Sequence, residues 1–190
     1  MTRTFSVSPD GQAIALACSS IASRGDRSLK PLTPNEWRKL SVDLHAAELR
    51  PRDLVGLSVE EIRDTLDYSL EGAERLARLL SRGGQLAIEL EGLANRGIWL
   101  LTRADEHYPP VLKERLGPQA PPVLFGAGPK ATLQDRGIAI VGSRDVDDEG
   151  LWFANALGHR CAEQGFVVVS GGARGVDLAA MSGALSRGGA

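Results

Sequence analysis

The chain is short of aromatic residues, cysteine and histidine, and neither sign of charge dominates it. Of its 190 residues, 5% are aromatic, two are cysteine and three are histidine. Cys18 and Cys161 lie far apart in apolar surroundings, which predicts two buried reduced thiols rather than a disulfide or a metal site. His45, His107 and His159 are scattered without ligand spacing and read as surface or core residues. Trp37, Trp99 and Trp152 read as core. The formal net charge of −2 excludes a protein that coats nucleic acid through bulk charge, so any such site must be a local patch. No apolar run is long enough to span a membrane. The start, Met1 to Phe5, leads to a short apolar run from Ala13 to Cys18, with Asp10 and Gln12 before it and no cleavage pattern after it. A signal peptide is therefore not expected, and a cytoplasmic location is.

Hydrophobic content of 43% and charged content of 24% are those of an ordinary globular protein with a sizeable core, in one domain or two small ones. The first half reads as helical. Asp10 to Ser20 has helix-compatible apolar spacing, and a polar loop follows from Ser23 to Lys30. Thr33-Pro34-Asn35-Glu36 combines a capping threonine, proline at the first helical position and a glutamate that completes a capping box. The helix it starts carries Trp37, Leu40, Leu44 and Ala47 on one face. Ser58-Val59-Glu60-Glu61 is a second capping box. Ser69 can cap a further helix with Leu70, Ala73, Leu76, Ala77 and Leu80 on its buried face, and Gly83 and Gly84 suit its left-handed end. Gln85 to Asn95 reads as another helix, ended by Gly97.

The pattern then changes. Ile98 to Leu101 and Val123 to Gly126 are short apolar strands, with a brief helix from Val111 to Leu116 between them. Ile138-Ala139-Ile140-Val141 and Phe166-Val167-Val168-Val169 are continuously apolar. Such runs predict strands buried on both faces, in a parallel sheet. Helices over Asp148 to Gln164 and Val176 to Ser186 complete a β-α-β-α unit. The expected fold class is α/β: a helical domain over residues 1–96, then a Rossmann-like parallel-sheet domain over residues 97–190.

Each strand of the parallel pair ends in a glycine-rich turn: Val141-Gly142-Ser143-Arg144, and Ser170-Gly171-Gly172-Ala173-Arg174-Gly175-Val176-Asp177. Ligands of open parallel sheets bind outside the carboxyl ends of the strands. Glycine allows tight turns and close approach, and a following helix offers unpaired N–H groups and a positive dipole end. Arg144 and Arg174 present planar forks suited to phosphate oxygens, and Ser143 and Ser170 add hydroxyls. Two such turns brought together by one crossover predict a phosphate-type site. Asp177 reads equally as a ligand for a ribose hydroxyl or base edge and as a helix-start carboxylate. Asp145, Asp147, Asp148 and Glu149 form an acidic run that suits the first turn of a helix and would repel an anion if it faced the crevice. Neither turn has the dinucleotide fingerprint or the lysine of a Walker loop, and Ser143 lacks the glycines of a nucleophile elbow. No catalytic, metal or cofactor site stands out, and no enzyme is expected.

These residues resemble the DprA/Smf family of DNA-processing proteins. The similarity includes Gly97-Ile98-Trp99-Leu100-Leu101-Thr102, the segment Asp105 to Leu112 with Tyr108-Pro109, and Pro121-Pro122-Val123-Leu124-Phe125-Gly126. It continues through Ile138 to Arg144 and ends with Ser170 to Asp177 and Gly183-Ala184-Leu185. Gly172 stands where the family often has leucine, and Met181 where it often has histidine. The resemblance implies single-stranded DNA binding and loading of a RecA-type recombinase during natural transformation, without catalysis and as a homodimer in full-length members. Arg144 carries over as a DNA-phosphate contact, Gly142 and Ser143 as its turn, and Ser170 to Gly175 as the neighbouring wall. The family continues with further strands and helices beyond the point where Ala190 ends this chain. A fragment, a truncated product or a short member is therefore expected. Two other readings stay open: a nucleotide-binding protein akin to the LOG-type phosphoribohydrolases, and an inactive remnant.

Overall fold

A computed structural model describes residues 7–23 and 28–186. The lead-in from Met1 to Phe5, most of the polar loop after Ser23 and the end at Gly188 to Ala190 lie outside the described residues. The chain divides into two compact units, residues 1–128 and 129–190.

In the first unit, helix α1 (Pro9–Cys18) starts at Ser8, whose hydroxyl accepts the Gly11 N–H at 3.1 Å. Its residues Ala13 to Ala17 are all buried, as befits a helix that is apolar all round. Helix α2 (Pro34–Ala46) opens on the predicted capping box, with Thr33 N–H donating to Glu36 at 2.6 Å and Glu36 N–H to Thr33 at 3.3 Å. It buries Trp37, Leu40 and Leu44, whereas Ala47 is exposed at its end. Helix α3 (Val59–Leu66) has the second box, at Ser58 and Glu61, and buries Ile62 and Leu66. Helix α4 (Leu70–Leu80), capped by Ser69, buries Ala73, Leu76, Leu79 and Leu80 and leaves Leu70 exposed. Helix α5 (Gly83–Asn95) is followed by Gly97 at φ +70°.

One expectation fails at the α4–α5 corner. Gly83 and Gly84 are not a left-handed helix end; they open α5. Ser81 closes α4 in a right-handed conformation. The Arg82 guanidinium donates to the Leu79 carbonyl at 3.2 Å and to the Leu16 carbonyl at 3.1 Å. A long side chain thus satisfies the Leu79 carbonyl at the end of α4, which a glycine-based cap would otherwise serve, and ties the corner to α1 through the Leu16 carbonyl. At the end of α3, Asp67 adopts the left-handed conformation.

Strand β1 (Ile98–Thr102) pairs antiparallel with β2 (Val123–Ala127), Ile98 opposite Ala127 and Thr102 opposite Val123. Helix α6 (Pro110–Leu116) lies between them in sequence. Leu100 joins the same core as α1 to α5, so the hairpin is packed with the helices.

In the second unit, β3 (Gly137–Ala139) and β4 (Val167–Val169) run parallel, Ile138 opposite Val168. Helices α7 (Asp148–Glu163) and α8 (Val176–Leu185) follow them as predicted. Glycine sets how closely the two helices approach. A methyl at Gly158 would run into the Ala180 carbonyl, and one at Gly183 into the Asn155 carbonyl. The core here is small: Ile140, Cys161, Val168, Ala180 and Ala184. The expectation of strands buried on both faces is not met. All three β3 residues are exposed, and so are Val141 and Val169, because the described sheet has two strands and α7 and α8 bury mainly each other. Trp152, expected in the core, is 71% exposed and its neighbour Phe153 61%. Trp37 and Trp99 are buried as expected.

Candidate nucleic-acid interface

The second unit places both glycine-rich turns at the carboxyl ends of its parallel strands. In the first turn, the Ser143 hydroxyl donates to the Asp145 carbonyl at 2.6 Å and accepts the Asp145 N–H at 3.0 Å. In the second, the Ser170 hydroxyl donates to the Ile140 carbonyl at 2.7 Å, which ties the strand ends together. Each hydroxyl has one proton, and both protons are spent on backbone carbonyls. Neither serine is set up as a nucleophile or as a free donor.

The turns touch each other. Val176 N–H donates to the Ser143 carbonyl at 3.1 Å. Gly175 lies at φ +89°, and a methyl there would strike that same carbonyl; a methyl at Gly142 would come within 2.8 Å of the Val176 side chain. These glycines are required by the meeting of two turns, a need distinct from ligand approach.

Asp177 sits beneath the contact. It is 8% exposed; one carboxylate oxygen accepts the Gly142 N–H and the other the Gly171 N–H, each at 3.2 Å. It lies in the first turn of α8, and both of its oxygens are engaged by the amides of the two turns.

Arg144 and Arg174 are exposed and make no hydrogen bond or ion pair with any described residue. The amides of Ser143, Arg144, Gly172, Ala173, Arg174 and Gly175 donate to no described acceptor. Two free cations, a row of free amides and the positive end of α8 form a surface that can accept phosphate oxygens. The acidic run has a structural account: Asp147 caps α7 by accepting the Gly150 N–H at 2.9 Å, and Asp148 and Glu149 occupy its first turn.

Other residues singled out in the sequence hold the first unit together. The Asp105 carboxylate accepts the Thr102 N–H at 2.6 Å and the Thr102 hydroxyl at 2.8 Å. Tyr108 is buried, and its hydroxyl donates to the Pro121 carbonyl at 2.7 Å. The Cys18 thiol is pushed far up by burial, which makes it inert. Sequence reasoning missed one cluster: His159 Nδ1 lies 3.2 Å from Ser186 Oγ, and Nε2 lies 3.6 Å from Glu163. The Ser186 hydroxyl donates to the Gly183 carbonyl at 2.7 Å, so its proton is not directed at the imidazole. A groove of about 1050 Å³ on the helical unit, lined by Arg38, Lys39, Asp43 and Arg103 among others, gave no motif-like signal in the sequence. Among the described residues, no cluster could hold a metal ion, and no helix is long and apolar enough to cross a membrane.

Residues 99–190 match the model of a family described as DNA recombination-mediator protein A. No curated protein matches the chain. Among solved structures, the X-ray structure of DNA processing protein A (DprA) from Streptococcus pneumoniae is similar, at 24% identity and a TM-score of 0.45. The similarity covers 83% of this chain and 56% of that one, so the chain spans little more than half the length of that protein.

Proposed function

From the premise that residues 99–190 belong to the DNA recombination-mediator protein A family, we propose that the chain takes part in DNA processing by binding single-stranded DNA through the paired glycine-rich turns. The observation that carries this reading is the pair of unpartnered guanidiniums, Arg144 and Arg174, on turns that also expose a row of free amides. Arg144 contacts a backbone phosphate; Gly142 and Ser143 shape its turn, and Ser170 to Gly175 form the opposing wall. The role is non-enzymatic and cytoplasmic: the bound strand is handed to a RecA-type recombinase, with the full-length form acting as a homodimer. Residues 97–190 are the segment with this role, and residues 1–96 are accessory.

Fluorescence anisotropy with labelled oligo-dT tests the reading. Binding should weaken steeply with salt, because phosphate contacts release counterions. Arg144→Ala should weaken it by about 1.5–3 kcal/mol, the value of a charge-assisted hydrogen bond. Binding that ignores both salt and Arg144 refutes the assignment. A thermal shift with mononucleotides but none with oligonucleotides would favour a nucleotide-binding protein instead.

A further inference from the structure

We infer that Asp177 is a built-in anion that locks the two glycine-rich turns into one unit and so sets the spacing of Arg144 and Arg174. The inference deepens the proposed DNA site and rests on that reading for its ligand. Asp177 is a positioning residue, since both of its oxygens face inward.

A carboxylate with 8% exposure needs compensation for lost hydration, usually from a cation. None of the described ion pairs includes Asp177. Arg144 and Arg174, the cations nearest in sequence to the two turns, are exposed and do not pair with it. Its compensation is the Gly142 and Gly171 amides, one per oxygen at 3.2 Å, and the positive end of α8, in whose first turn it lies. These are the partners a phosphate would seek at a helix N-terminus. The inner part of the crevice is therefore already filled by the protein's own charge.

Two consequences follow. An incoming phosphate must bind on the outer rim, where Arg144, Arg174 and the free amides from Gly172 to Gly175 lie. The geometry of that rim also depends on the clamp, because Gly142 and Gly171 are joined to each other through one side chain. A methyl at Gly171 would sit 2.9 Å from Asp177 Oδ2 and would push the carboxylate out of place. The clamp and the glycines are one device.

The test compares the chain with Asp177→Ala and Asp177→Asn by amide hydrogen exchange and by oligo-dT anisotropy, with Arg144→Ala as a control. Far-UV circular dichroism checks that each variant folds. In the unsubstituted chain, the Gly142 and Gly171 amides should be protected. Asp177→Ala should expose both amides and weaken oligo-dT binding roughly tenfold or more, about 1.4 kcal/mol. Asp177→Asn keeps the volume and one acceptor oxygen, so it should protect one of the two amides and recover part of the binding. If the alanine variant fails to fold, the asparagine variant carries the test alone. The inference is overturned if both amides exchange equally fast with and without the carboxylate. It is also overturned if Asp177→Ala and Asp177→Asn both bind like the unsubstituted chain while Arg144→Ala does not. If the unsubstituted chain binds no oligonucleotide, the DNA reading fails separately, and the exchange rates alone decide whether the clamp exists.

Discussion

The two units are stabilised in different ways. The helical unit closes a core of large apolar side chains around α1, with Trp37, Leu40, Ile62, Leu76 and Leu86 all buried. The turn-bearing unit buries a handful of small or medium residues and exposes Val141, Trp152, Phe153, Val169, Leu178 and Leu185. The first is held by apolar volume. The second is held by close backbone approach: glycines between α7 and α8, glycines where the turns meet, and one carboxylate bridging them. A scaffold of the second kind leaves its strand ends and turn amides open for a ligand, and has less hydrophobic stabilisation in reserve.

This contrast can be broken most severely in the helical core. Leu76→Ala removes a side chain that is 1% exposed and should cost about 2–5 kcal/mol in denaturant unfolding. Gly158→Ala should cost about 1–3 kcal/mol, the range for overpacking, because the added methyl meets the Ala180 carbonyl. It should loosen the amides of α7 and α8 while leaving those of α1 protected; uniform loosening would mean the two units are not stabilised separately.

A smaller effect tests the polar surface of the helical unit. Arg75 hydrogen-bonds Glu36, with a shortest contact of 2.5 Å, and that bond with the Thr33 cap holds the Glu36 carboxyl near pH 2 against an ordinary 4.5. A depressed carboxylate stabilises the fold above its unfolded value, and that stabilisation is lost as pH falls through the folded value. The stability advantage over Glu36→Gln should therefore be full above about pH 4.5 and fade toward pH 2. With the Glu36 side chain 41% exposed, it should amount to under about 1 kcal/mol. A pH-independent difference between the two proteins would show that the ion pair contributes nothing. Smallest of all, Trp152→Gln should change unfolding stability by no more than about 0.5 kcal/mol, since the ring is 71% exposed. A large loss would place that ring in a core.

What the sequence disclosed follows the range of the interactions involved. The capping boxes at Thr33 and Ser58 were legible because donor and acceptor lie three residues apart. The parallel strand pair and both following helices were legible from apolar runs and glycine punctuation. The α4–α5 corner was not, because the Arg82 guanidinium reaches a carbonyl 66 residues away. Trp152 misled for a similar reason: an aromatic residue signals burial only when something covers it. The glycine-rich turns were visible as turns, but the reason for Gly142 was not. Its partners, Asp177 and Val176, are some thirty-five residues further on.

The most direct test of the account is an NMR titration of the isotope-labelled chain with oligo-dT, followed at the backbone amides. Ser143, Arg144 and Gly172 to Gly175 should shift together, along one saturation curve, and raised salt should reverse the shifts. Shifts in one turn alone, or shifts confined to the helical unit, would contradict it.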